Sequence, residues 1–152
     1  MTLAASAAGL AGVWFNGQKH MPETSAWPIQ NEHPVLLQTR TELQQYFAGR
    51  RTAFDVPLDL SQGTAFQQQV WRGLLDIAAG DTLAYGALSQ RIGKPAAVRA
   101  VGAAVGRNPI SIIVPCHRVV GADGSLTGYA GGLDRKTALL QLEQPAQQTI
   151  AA

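Results

Sequence analysis

The chemistry open to this chain concentrates at Pro115-Cys116-His117-Arg118, where the single cysteine of the sequence stands directly before a histidine. The thiolate is the nucleophilic form, and an unperturbed thiol with a pKa of about 8.5 is only a few per cent ionised at neutral pH. A neighbouring base or cation would therefore be needed to make Cys116 a reagent. Successive side chains of a strand point to opposite faces, so the pair cooperates only if the chain turns after Pro115, which the proline allows. Taken alone, a cysteine after Ile112-Ile113-Val114 reads more readily as a buried, inert thiol. One cysteine cannot close an internal disulfide, and with only His20, His33 and His117 beside it no zinc-ligand spacing can be assembled, so no metal or cofactor is expected.

Other residues could join it. Glu143 falls near the C-terminus of the last predicted helix, where the macrodipole disfavours negative charge by about 0.3–1 kcal/mol. Such a placement invites a role such as orienting His117, although spacing alone reads more readily as a solvated surface carboxylate. Asn108-Pro109 could be a simple helix stop and Tyr85 an ordinary core aromatic. Tyr129 lies between Gly128 and Gly131-Gly132, where the backbone can bend sharply and offer amides to a ligand, or it is a packed lid. Arg91, Lys94, Arg99 and Arg107 surround a predicted helix-turn-helix and could meet phosphates or bases, while helix pairs of this kind also serve simply as packing elements.

The elements that must position these residues can be read from periodicity and punctuation. Thr2 to Ala5 and Gly12 to Phe15 are extended runs around a turn, and Asn16-Gly17 follows, which predicts a small antiparallel sheet. After an irregular stretch at 18–32, the spacing predicts a helix over 34–47 with Leu36, Leu43 and Phe47 on its inner face, Leu37 and Tyr46 flanking, and Gly49 as its stop. Val56, Leu58 and Leu60 alternate as a strand. Ser61-Gln62-Gly63 reads as a linker, and Thr64 with Gln67 matches a capping box ahead of Phe66, Val70 and Leu74.

A helix over about 84–92 carries Tyr85, Leu88 and Ile92, and Gly93 ends it. Pro95 suits the first turn of a second helix over about 95–106, with Val98, Val101 and Val105 on one side and small residues elsewhere. The apolar run Ile110 to Val114, a loop with five glycines between 121 and 132, and a last helix near 133–143 complete the pattern. The expected organisation is an N-terminal α/β domain over 1–60, a linker at 61–63, a C-terminal domain over 64–143, and a Gln/Ala-rich tail over 144–152 expected to be disordered and dispensable.

With 152 residues and 46% hydrophobic content the chain can bury a core. No run approaches the roughly 20 apolar residues that span a bilayer, and Leu3 to Gly12 has no basic flank, so the chain is read as cytosolic, without membrane association or targeting segment. Residues 1–63 carry four Lys/Arg against five Asp/Glu, and 64–152 carry eight against five. Basic charge in one half leans toward a polyanion partner.

Asn108-Pro109, then Val114-Pro115-Cys116-His117-Arg118-Val119-Val120, then Gly128-Tyr129-Ala130-Gly131-Gly132-Leu133 with Lys136, Leu139, Leu140 and Glu143, together resemble the O6-alkylguanine-DNA alkyltransferases. The resemblance runs in order over most of 64–143 and is looser over 1–60. It implies an α+β protein: a ribonuclease H-like N-terminal unit of small antiparallel sheet and helix, then a mostly helical C-terminal unit with a winged helix-turn-helix. It also implies DNA repair by direct, irreversible and stoichiometric transfer of an alkyl group from O6-alkylguanine to Cys116, with double-stranded DNA as the partner of a monomer.

By that resemblance Cys116 is the acceptor, activated through His117 and Glu143 in a hydrogen-bonded chain that includes a water, and Asn108 braces the active-site turn. Tyr85 helps protonate or position the departing guanine, Arg99 fills the gap left by the extruded base, and Tyr129 lines the pocket. Main-chain groups of Val119 and Ala130 read the base edge, and Gly131 and Arg118 belong to the substrate- and DNA-binding set. The physics agrees, since an alkyl group on guanine O6 is out of reach within the stacked duplex and the nucleotide must be flipped into a pocket. Two departures stand out: the first strand begins almost at Met1, which implies a missing edge strand, and the zinc ligands of some relatives are absent. A non-catalytic DNA-binding module and a multiple-turnover cysteine hydrolase using Cys116 and His117 are the competing readings.

Overall fold

The computed structural model describes residues 1–144, and the expectation for the tail lies, from 145 onward, outside the described residues. Strands β1 (Thr2–Ser6) and β2 (Gly9–Trp14) form an antiparallel hairpin with a register irregularity between Ala4 and Ala5. The free edge of β2 then binds two distant segments. Its Leu10 pairs in parallel with Leu58, through Leu10 N–H to Pro57 O and Asp59 N–H to Leu10 O, both 2.8 Å. Its Val13 pairs with Ile110, through Val13 N–H to Pro109 O at 2.9 Å and Ser111 N–H to Val13 O at 3.0 Å. One strand thus holds both the end of the N-terminal half and the segment leading to Cys116. The strand expected over 56–60 is reduced to the single bridge at Leu58, because Pro57 has no N–H to extend a ladder and Asp59 turns its carboxylate to Ser6 and Ser61.

Helix α1 (Pro34–Phe47) starts with Pro34 in its first turn, capped by His33 Nδ1 accepting from Val35 N–H at 3.2 Å. Its bounds match the sequence reading, but its inner face does not. Thr39, Glu42, Leu43 and Tyr46 are buried, whereas Phe47 and Leu37 are exposed. Polar residues can face inward here because each finds a partner: Thr39 Oγ1 donates to Val35 O at 2.7 Å, and Glu42 Oε1 accepts from the backbone of Asp55 and Val56.

In the C-terminal half, α2 (Ala65–Leu74) begins on the Thr64/Gln67 capping box, and Trp71 Nε1 donates to Ala104 O at 2.8 Å, tying it to the helix that carries Ala104. The two-residue strands β3 (Leu83–Ala84) and β4 (Val119–Val120) pair in parallel beside the helix-turn-helix. That motif consists of α3 (Tyr85–Arg91) and α4 (Val98–Gly106). Val101, Ala104 and Val105 face the core, while Val98 is exposed with Arg99, Ala100 and Ala103. Helix α5 (Leu133–Leu142) closes the chain, with Glu143 at its C-cap. A continuous apolar core joins both halves, from Leu10 and Tyr46 through Trp71 and Ile110 to Leu139. Among the described residues no helix is long and apolar enough to cross a membrane.

Candidate active site

Residues 108–118 are bent into shape by local hydrogen bonds. Asn108, buried at the end of α4, donates through Nδ2 to Val114 O at 2.8 Å and to Ile110 O at 3.3 Å, and its Oδ1 accepts from Ile110 N–H at 3.0 Å. Within this brace the chain makes two three-residue turns. Ile113 N–H reaches Ser111 O at 2.8 Å around Ile112, whose φ of 72° is the left-handed region that a β-branched side chain rarely adopts. Cys116 N–H reaches Val114 O at 2.8 Å around Pro115, whose φ of −85° and ψ of 64° describe an inverse γ-turn. A single 3-10 turn, Cys116–Arg118, follows. The turn after Pro115 sends the Cys116 and His117 side chains to neighbouring environments instead of opposite faces of a strand.

Cys116 is 6% exposed and opens onto a cavity of about 230 Å³ lined by Tyr85, Gly102, Tyr129 and Ala130, with Lys19 and His20 from the N-terminal half. Burial pushes the thiol up to about 11, partly offset by the nearby Asn108 amide and the charge of Lys136. At rest Cys116 is therefore a thiol, and its use as a nucleophile requires a base at the moment of reaction.

His117 is fully buried beside it. Its Nε2 lies 2.7 Å from Glu143 Oε2, and its Nδ1 is buried with no hydrogen-bond partner among the described residues. Desolvation lowers the His117 pKa, against the opposing pull of Glu143, so the ring is neutral. The Glu143 side chain is 2% exposed and accepts four protein contacts among the described residues: Arg118 Nε to Oε1 at 2.9 Å, Arg118 Nη2 to Oε2 at 2.9 Å, Tyr46 Oη to Oε2 at 2.6 Å, and the His117 bond. Burial alone would raise the Glu143 carboxyl; the hydrogen bonds from His117 and Arg118 outweigh it and hold the group down at about 2. A carboxylate fixed on Nε2 leaves Nδ1 as the free acceptor of the neutral imidazole. The placement at a helix C-terminus is tolerated because Arg118 neutralises the charge directly.

The structure brings Cys116, Tyr85, Tyr129 and Ala130 around the cavity, with His117 and Glu143 behind it and Asn108 bracing the segment that carries Cys116. Two residues fall elsewhere than expected. Arg118 is buried, and each of its guanidinium nitrogens donates within the protein, Nε and Nη2 to Glu143 and Nη1 to Ile77 O at 2.6 Å. Val119 is fully buried, its carbonyl takes the Lys136 ammonium at 2.6 Å, and it does not line the cavity. Gly131 serves packing: a Cβ there would stand 2.8 Å from the Tyr129 ring and 2.9 Å from that of Phe15. Arg99 is exposed on α4, outside the cavity, and together with Arg91, Lys94 and Arg107 makes no salt bridge among the described residues.

Sequence reading missed the N-terminal contributions. Lys19 N–H donates to Ala130 O at 3.1 Å, and buried Gln18 links Phe15 N–H at 2.8 Å to Ser111 Oγ at 3.3 Å, so the loop after β2 forms one wall of the cavity. Only the folded chain brings that loop to Ala130; its one local signal is the Asn16-Gly17 turn, with Gly17 at a φ of 75°. Among the described residues no group of three or more His, Cys, Asp and Glu could hold a metal ion.

A buried thiol at a cavity mouth, backed by an oriented histidine and carried beside a helix-turn-helix with an open basic face, defines a DNA-associated protein with a cysteine reaction centre. Residues 65–145 match the model of the 6-O-methylguanine DNA methyltransferase DNA-binding domain, and residues 1–60 match that of the ribonuclease-like domain of the same enzymes. The chain belongs to the 6-O-methylguanine DNA methyltransferase family, whose activity is alkyl transfer in DNA repair. It is 59% identical over 112 residues to a methylated-DNA–protein-cysteine methyltransferase of Mycobacterium tuberculosis, covering 72% of this chain and 67% of that one. To the methylated-DNA–protein-cysteine methyltransferase of Mycolicibacterium paratuberculosis it is 47% identical over 154 residues, covering 99% of this chain and 91% of that one. The crystal structure of Mycobacterium tuberculosis OGT in complex with DNA superposes with a TM-score of 0.86 at 47% identity, covering 99% of this chain and 92% of that one.

Proposed function

We propose that this chain removes a methyl or other alkyl group from guanine O6 in double-stranded DNA and keeps it on Cys116. The observation that carries the assignment is the arrangement of the buried pair: Cys116 faces the cavity, and His117 offers an Nδ1 with no partner among the described residues while Glu143 holds its Nε2 at 2.7 Å. In the transfer, the Cys116 Sγ forms a bond to the alkyl carbon as the bond from that carbon to guanine O6 breaks, with its electron pair going to the base. The thiol proton passes through a water to His117 Nδ1, and guanine leaves after gaining a proton, which the Tyr85 hydroxyl helps to deliver. Desolvation of the thiol supports this order, because Cys116 is not ionised until the base acts.

DNA docks on the exposed face of α4, where Ala100 and Ala103 allow close approach and Arg99 enters the duplex as the damaged nucleotide turns out. Tyr129 and Ala130 then flank the extruded base in the cavity. A thioether is not reversed by any side chain present, so each molecule acts once. Monomeric action in the cytoplasm is part of the same reading. Titrating limiting protein with an excess of O6-methylguanine duplex tests it: repaired lesions should equal the protein added, and repair of many equivalents would replace the transferase with a hydrolase.

A further inference from the structure

The cluster behind the reactive cysteine takes one member from the other half of the chain. Tyr46 lies on α1, 97 residues from Glu143, yet its hydroxyl donates to Glu143 Oε2 at 2.6 Å, the same oxygen that His117 Nε2 meets at 2.7 Å. We propose that Tyr46 is a positioning residue for the alkyl transfer: by sharing Oε2 with His117 it sets how hard Glu143 pulls on the imidazole, and it makes the N-terminal unit part of the reaction centre.

Three observations carry this. The ring is 2% exposed and held by Phe47, edge-on with centroids 5.4 Å apart, and by Phe54 at 5.6 Å, so the hydroxyl has a fixed aim. A phenylalanine would fill the same apolar space, and a buried tyrosine hydroxyl is sustained by a partner, here Glu143 alone among the described residues. Burial, reinforced by the Glu143 charge, raises the Tyr46 hydroxyl far above its ordinary range, so it acts only as a donor.

The groups facing His117 are Glu143, Arg118 and Lys136, and those facing Glu143 are His117, Arg118 and Tyr46. Arg118 is held on both carboxylate oxygens and anchored on Ile77 O, so it stays in place when the hydroxyl is removed. Without Tyr46 Oη, Oε2 keeps more negative charge and draws the Nε2 proton more strongly, which makes Nδ1 more basic. Its effect on repair rests on the reading of His117 as the base; its effect on the imidazole does not.

The experiment is an NMR titration of the His117 imidazole in Tyr46→Phe, with Phe54→Leu as the variant that loosens the same aromatic packing while leaving the hydroxyl. In Tyr46→Phe the His117 midpoint should rise by about half a unit to one unit, roughly a three- to tenfold change in its protonation equilibrium, and in Phe54→Leu it should stay at the wild-type value. An unchanged midpoint in Tyr46→Phe, or an equal rise in both variants, overturns the proposal. Single-turnover repair read on the same proteins separates the two levels: the acid limb of the Tyr46→Phe rate profile should move up with the midpoint. A midpoint that moves without the rate profile would instead count against His117 as the base.

Discussion

Replacing Glu143 by Gln tests the buried cluster as an energetic unit. The carboxylate is 2% exposed, and its pKa falls from 4.5 to about 2, a difference worth about 3 kcal/mol at about 1.4 kcal/mol per unit. Removing one partner of a buried ion pair independently predicts a loss of about 3–5 kcal/mol, because Arg118 keeps its charge with no anion beside it. Against a total domain stability of about 5–15 kcal/mol the variant should fold but unfold at much lower urea. Because the folded pKa is depressed, this stability is fully present above the unfolded value of 4.5 and is lost as pH falls toward about 2. Urea midpoints taken from about pH 7 to about pH 3 should show Glu143→Gln less stable by about 3–5 kcal/mol at the upper end, with the gap narrowing by roughly 2 kcal/mol at the lower. A gap under about 1 kcal/mol at neutral pH, or one that does not change with pH, would refute the cluster as the holder of that charge.

Three further outcomes follow from the same geometry. With its thiol pushed up to about 11, Cys116 should react slowly with a small thiol reagent such as iodoacetamide and gain about tenfold per pH unit through pH 9 and 10; a rate that levels off near the ordinary thiol range of about 8–9 would contradict the burial effect. Asn108→Ala removes three hydrogen bonds worth about 1 kcal/mol each and should cost about 3 kcal/mol in urea melts, with slower repair by the protein that remains folded. Arg99→Ala should slow single-turnover repair of duplex DNA much more than reaction with free O6-benzylguanine; equal losses on the two substrates would remove its role in the duplex.

Local signals were legible where the chain itself supplies the partner. Pro34 and Gly49 bracket α1, and Thr64 with Gln67 starts α2, because caps and stops act over three or four residues. The inner face of α1 was misjudged because apolar spacing carries no information about Glu42 and Tyr46, whose burial depends on partners 13 and 97 residues away. Arg118 likewise reads as a DNA-facing cation beside Cys116 until Glu143 is folded onto it. The strand at 56–60 fails for a local reason that alternation hides, the missing N–H of Pro57. The order of Cys116, His117 and Glu143 was legible through a motif, whereas the wall supplied by Lys19 and His20 has no motif and exists only once β2 binds residues 109–111.

In the proposed reaction Cys116 itself is the acceptor. Peptide mass spectrometry of the protein after incubation with an O6-methylguanine duplex should find one added methyl group, located on Cys116, and none in Cys116→Ser under the same conditions. Repaired DNA with an unmodified Cys116, or a methyl group on any other residue, would contradict the account.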